Sequence, residues 1–153
     1  MRKHRQTLHG YGYDRLLWVV FSPDSQHLAI ISEDEIWLPT KEVTSHVSLF
    51  KHQDGGDMNV LAFSPDNLLL ASASTGKTVW LWDVSTGIRE HALGHHRGSA
   101  TAIVFSTDSH FVAVASSDSS VRLWTARTNT LLHTLLSRGD VATILKFSPD
   151  GRN

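Results

Sequence analysis

Phe-Ser-Pro-Asp occurs at Phe21–Asp24, Phe63–Asp66 and Phe147–Asp150, with Phe-Ser-Thr-Asp at Phe105–Asp108, and the four phenylalanines are each 42 residues apart. Four copies in one register exclude coincidence and make the chain an array of repeats, in which no unit can be read without its neighbours. A short apolar run precedes each Phe: Leu16 to Val20, Asn59 to Ala62, Ala102 to Val104 and Ile144 to Lys146. Runs this short end at turn chemistry before a helix can form, so they are expected to be strands. In the turn, Pro presets φ, Asp bonds its own backbone, and Ser25, Asn67, Ser109 or Gly151 follows where φ turns positive.

The rest of each unit supplies three more strands. The second is small and β-branched: Leu28 to Ser32, Leu70 to Ser74 and Val112 to Ser116. The third is Ile36 to Leu38, Val79 to Trp82 or Val121 to Trp124, and the fourth lies around Val47 to Phe50, Glu90 to Leu93 and Leu131 to Leu135. Nothing has helical period, so the chain is expected to be all-β. Four strands of about six residues make a small antiparallel sheet roughly 20 Å long. Its strands are apolar on both pleat faces, as in Val79-Trp80-Leu81-Trp82, so each sheet needs a neighbour on either side. Radial stacking of such sheets as the blades of a propeller meets that need.

Composition bounds what such an array can do. In 153 residues, 41% hydrophobic and 19% charged content fits a folded protein, and 15 acidic against 14 basic residues leave no field to draw nucleic acid or an anionic membrane. There is no cysteine, which removes disulfides and thiolate metal sites. No apolar run approaches the ~20 residues of a membrane span, so a soluble chain of the cytoplasm, or else the nucleus, is expected. Of the ten histidines, His91, His95 and His96 lie close together, but His91 is expected in a strand and His95 and His96 in the loop after it, no thiol adjoins them, and a structural role is preferred to a metal site. Asp54-Gly55-Gly56-Asp57 lacks the spacing of a calcium loop and the Lys of a phosphate loop. No Gly-x-Ser-x-Gly elbow exists, and no carboxylates recur at matching positions to build a channel hydrolase, so no catalytic residue, metal or cofactor is assigned.

The Phe-Ser-Pro-Asp turns, the third-strand Trp82-Asp83, the Gly94-His95 dipeptide and the spacing together resemble the WD40-repeat family. The resemblance implies a buried hydrogen-bonded set in each blade, best matched by His96 (or its neighbour His95), Ser116, Asp118 and Trp124. Other units depart from it: Gly76 stands at the Asp position, His52 is displaced, Pro39 replaces the Trp, and Arg138 occupies the His position. It also implies partner surfaces on the narrow face around a central channel, near Asp24, Gly55-Gly56, Asp66, Arg97 and Asp108. Trp80, with Trp37 at the matching position before it, is either an exposed anchor or, as preferred, packing between blades.

The units run 6–50 (degenerate), 51–93, 94–136 and 137–153, the last only a first strand and its turn. The expectation is a partial propeller of about three blades plus an extra strand, its ring not closed by this chain. It would be a segment of a longer protein, a truncated reading frame or part of an oligomeric ring, a segment or truncation being preferred. The leading function is a non-catalytic scaffold binding other proteins, with self-association through unpaired blade edges. Its rivals are the sensor segment of a larger NTPase of the fungal incompatibility kind and a propeller hydrolase.

Overall fold

The structure is a computed structural model that describes residues 16–32, 35–39, 46–51, 57–94, 96–137 and 139–148; positions 16, 17, 32, 35, 37, 39 and 46–51 are described by their backbone alone. Outside the described residues lie the opening at Gln6 to Leu8, His52, Gly55-Gly56, His95, Arg138 and Pro149-Asp150, as does the side chain of Trp37.

Among the described residues, twelve strands form three antiparallel sheets of four, each in simple sequential order. The first sheet is β1 (Leu16–Phe21), β2 (Leu28–Ser32), β3 (Glu35–Pro39) and β4 (His46–Lys51). The second is β5 (Met58–Phe63), β6 (Leu69–Ser74), β7 (Val79–Asp83) and β8 (Arg89–Leu93). The third is β9 (Ala100–Phe105), β10 (Phe111–Ser116), β11 (Ser120–Thr125) and β12 (Leu131–Leu136). Register follows the repeat: Phe63 faces Leu70, which faces Trp82, and Phe105 faces Val112, which faces Trp124.

The expected positive φ is present, at 58° for Ser25, 63° for Asn67 and 62° for Ser109. Asn favours this left-handed region through its own local hydrogen bonding, and the two serines hold it because the turn fixes them.

The sheets lean on one another through two apolar layers. Ala29, Ile31, Ile36 and Leu38 of the first sheet meet Met58, Leu61, Phe63, Leu70 and Trp82 of the second. Leu69, Ala71, Ala73, Val79, Leu81 and Leu93 on the other side of the second sheet meet Ala100, Ile103, Phe105, Val112, Val114 and Trp124 of the third. The middle sheet is thus apolar on both faces, and β6 is buried throughout. The outer sheets are not covered on both faces: Phe21 is 66% exposed where Phe63 and Phe105 are 8% and 5%, and every residue of β12 is exposed.

The run Ile144 to Lys146, expected as a first strand, is in no sheet. The segment does lie beside β9, with Thr101 Oγ1 donating to the Ala142 carbonyl at 2.6 Å. A ladder needs two strands, and the described residues contain no second strand to pair with this one.

Candidate functional site

The polar residues singled out in the sequence fall into three groups, and strand direction decides where each lies. The turns after β1, β5 and β9 share one design. Ser22, Ser64 and Ser106 each donate a hydroxyl hydrogen bond to the Asp two residues on, at 2.5 Å. Each serine Oγ also accepts the backbone N–H that opens or precedes the second strand, from His27, Leu69 or Phe111 at 2.9 Å. The same carboxylates accept a further backbone N–H from Gln26, Leu68 or His110. Hydrogen bonds from Ser22 and Ser106, the largest effect in each case, hold the Asp24 and Asp108 carboxyls below the usual carboxylate range.

Successive turns also clasp each other. Asp24 N–H donates to Asn67 Oδ1 at 3.1 Å, and Asp66 N–H donates to Ser109 Oγ at 3.0 Å. The residue with positive φ in one blade therefore fixes the turn of the blade before it.

The second group surrounds Asp118, in the turn between β10 and β11. Its carboxylate accepts the Ser120 hydroxyl at 2.5 Å, Ser120 N–H at 2.9 Å and Arg97 N–H at 2.8 Å, while Asp118 N–H donates to Ser116 Oγ. Burial raises the Asp118 pKa, but hydrogen bonds from Ser120, the Arg97 amide and Ser116 outweigh it and hold the carboxyl far below its ordinary value. His96, 2% exposed, sets Nδ1 3.3 Å from Ser120 Oγ and 3.9 Å from Asp118, its ring 5.5 Å from Trp124 at 68°. Because the Ser120 proton goes to Asp118, the Ser120 oxygen accepts, and His96 carries its proton on Nδ1. Nε2 is then a buried acceptor without a partner among the described residues. Desolvation, reinforced by the Arg122 charge and opposed by Asp118, depresses the His96 pKa to about 4. A neutral imidazole here ties the loop leading into β9 to the β10–β11 turn.

His96, Ser116, Asp118 and Trp124 are thus brought together, but the bridge between His96 and Asp118 is Ser120, which the sequence reading did not name. Its signal was available, since Thr78 stands 42 residues earlier and is also buried. In the second blade, Trp82 Nε1–H donates to Ser72 Oγ at 2.8 Å, ten residues back. The residue ten before Trp124 is Val114. The second blade therefore has the Trp–Ser half of the arrangement with Gly76 at the Asp position, and the third has the His–Asp half.

The third group serves turns and packing. Asp83 accepts from Ser85 Oγ, Thr86 N and Thr86 Oγ1 at 2.6, 2.7 and 2.9 Å, and the Ser85 bond leads in lowering its pKa. Trp80 is half-buried against the layer between the first two blades, with the Arg89 guanidinium carbon 4.1 Å from its ring centroid. His91 Nε2 lies 2.9 Å from the Arg127 carbonyl.

The candidates Asp24, Asp66, Arg97 and Asp108 do not share one face, contrary to the single narrow face expected. Asp24, Asp66 and Asp108 follow the first strands, whereas Arg97 lies in the loop before β9. A six-residue strand separates its two ends by roughly 20 Å. The face bearing the Asp turns also holds the turns after β7 and β11, and there the structure shows what the sequence reading overlooked. Leu68 and Ile88 are 49% and 65% exposed, beside an Asp66–Arg127 ion pair at 3.7 Å.

Four-stranded antiparallel blades, packed face to face and pinned by their turns, define an open sector of a β-propeller. The WD domain, G-beta repeat family matches residues 43–83 and 87–125, more than half of the sequence, and the chain belongs to it. Two solved structures are similar. "Structure of U3-55K" has a TM-score of 0.77 at 21% identity, over 89% of this chain and 43% of that one. "Crystal structure of RRP9 WD40 repeats" has 0.76 at 20% identity, over 89% and 42%. At such identity they show the fold, and the chain spans less than half the length of either. No curated protein matches the sequence.

Proposed function

We propose that the chain is a non-catalytic scaffold that binds other proteins through the face bearing the Asp turns. The observation that carries this reading is the exposure of Leu68 and Ile88 beside the Asp66–Arg127 pair, on turns that neighbouring blades clasp. Apolar anchors rimmed by charge on a rigid support are the usual make-up of a protein-binding surface. Five carboxylates, those of Asp24, Asp66, Asp83, Asp108 and Asp118, are occupied in holding turns, which supports the non-catalytic reading. The place of action in this proposal is the cytoplasm or the nucleus, in keeping with the lack of cysteine.

The test is affinity capture from cell extract with the intact chain, Leu68→Asp/Ile88→Asp and Arg97→Glu, each captured protein then being purified and titrated. Loss of the same partner with the double variant and its retention with Arg97→Glu are expected. Retention by the double variant overturns the assignment of the face, and hydrolase turnover that survives repurification overturns the non-catalytic reading.

A further inference from the structure

We infer that the turns of the middle blade form a seat for a segment of another protein in which apolar residues stand next to lysine or arginine, a reading that rests on the binding face proposed above. Val84 N–H donates to the Leu68 carbonyl and Asp83 N–H to the Ile88 carbonyl, each at 2.9 Å, so Leu68, Val84 and Ile88 come from adjoining turns of one blade. Val84 is half-buried against the layer between the first two blades. The third blade builds the same joint from other side chains, 42 residues on. There Ala126 N–H donates to the His110 carbonyl at 2.8 Å and Thr125 N–H to the Thr130 carbonyl at 2.9 Å. His110 and Thr130 are exposed, and Gln26 stands at the place of Leu68 in the first blade. The joint therefore forms with polar side chains, and its hydrogen bonds do not require apolar residues at 68 and 88. Stacking does not cover them either. The second blade has a neighbour on both sides, yet Leu68 and Ile88 stay 49% and 65% exposed at the ends of its strands. Such exposure, confined to one blade, is the mark of a contact surface.

The charges around the seat identify its occupant. Asp66 Oδ1 accepts the Leu68 N–H at 3.1 Å, Asp24 N–H donates to the side chain of Asn67, next to Leu68, and Asp83 immediately precedes Val84. Three carboxylates thus border the apolar residues. Hydrogen bonds, led by those from Ser22 and Ser85, hold the Asp24 and Asp83 carboxyls below the usual range, so both carry charge at physiological pH. The nearby cations are engaged: Arg127 lies 3.7 Å from Asp66, and the Arg89 guanidinium carbon is 4.1 Å from the Trp80 ring centroid. Asp24 and Asp83 have no ion pair among the described residues. An apolar side chain set against Leu68 and Ile88 removes their surface from water, and a lysine or arginine beside it meets Asp24 or Asp83. An acidic segment or an anionic bilayer would meet like charge instead.

Fluorescence anisotropy tests this inference, with the full chain titrated up to about 300 μM against labelled nine-residue Gly/Ser peptides. Their centre is Leu-Phe or Ser-Ser, and the positions on either side are Lys, Ser or Glu. The Leu-Phe peptide with Lys flanks is expected to bind most tightly, and Leu68→Asp/Ile88→Asp to weaken it by about tenfold or more. Asp24→Asn and Asp83→Asn, which keep an acceptor oxygen for the turns, should each weaken it by roughly two- to fivefold, the effect of one exposed ion pair. Arg127→Gln frees Asp66 and should tighten it by a similar factor. Near-UV circular dichroism verifies that the variants fold. Independently of any variant, raising salt from about 50 to 300 mM should weaken the Lys-flanked peptide and leave the Ser-flanked one unchanged. Ser- or Glu-flanked peptides that bind as tightly as the Lys-flanked one, and lose binding with the double variant, overturn the basic segment and leave the face standing. Binding that survives the double variant overturns both. Absence of binding by every peptide overturns the inference, the face itself being judged by the capture experiment above.

Discussion

Phe21 and Phe105 occupy the same place in the repeat, and the stacking account requires that truncating them has very different consequences. Phe105 is 5% exposed, in a layer with Leu69, Leu81 and Val112. Phe105→Ala removes a buried ring from a close-packed junction, which costs about 3–5 kcal/mol. Phe21 keeps only a third of its surface covered, so Phe21→Ala should cost about 1 kcal/mol or less by the same area argument. Urea unfolding followed by tryptophan fluorescence reads the difference. With a slope of about 2 kcal/mol per M, Phe105→Ala moves the midpoint down by roughly 1.5–2.5 M and Phe21→Ala by less than about 0.5 M. Equal losses for the two variants would refute the claim that the neighbouring blade, rather than the residue or its own sheet, supplies the stability.

The other expectations concern the pins. Because the unfolded chain protonates His96 near pH 6.5 and the folded chain only near 4, stability should be flat above pH 7 and fall between those values, by up to roughly 3 kcal/mol. His96→Gln should flatten that slope in the urea midpoint, while the contribution of Asp118, whose pKa is lowered, disappears only at more acid pH. Asn67→Gly keeps the positive φ and removes the acceptor for Asp24 N–H, so it should cost about 0.5–1 kcal/mol and speed exchange of the Asp24 amide; Asn67→Ala should cost more. A Cβ on Gly98 would lie 2.4 Å from Ser117 Oγ and 2.7 Å from Asp118 N, so Gly98→Ala should destabilise by about 1–3 kcal/mol in thermal unfolding and loosen the Arg97–Asp118 contact.

Within the three blades, strand positions, turn residues and antiparallel order are local matters, and the sequence alone determined them, whereas the run Ile144 to Lys146, read as a strand, is in no sheet. Leu28 to Ser32 is read and observed within the same bounds. Positive φ falls at Ser25, Asn67 and Ser109 because the Pro-Asp or Thr-Asp pair before them sets the turn. Burial on both faces also follows from strings such as Val79 to Trp82, in which no alternation with polar residues sets one face apart.

Only the tertiary structure decided which of these equivalent positions are covered, since Phe21, Phe63 and Phe105 hold the same place in the repeat and differ in whether a sheet lies against them. It also decided that Ser120 bridges His96 and Asp118, and that Arg97 lies at the opposite end of β9 from Asp108. Repeat spacing fixes a residue's place within its own blade, whereas contacts across blades and loops depend on how separate stretches of chain meet in space, which no single window of sequence contains.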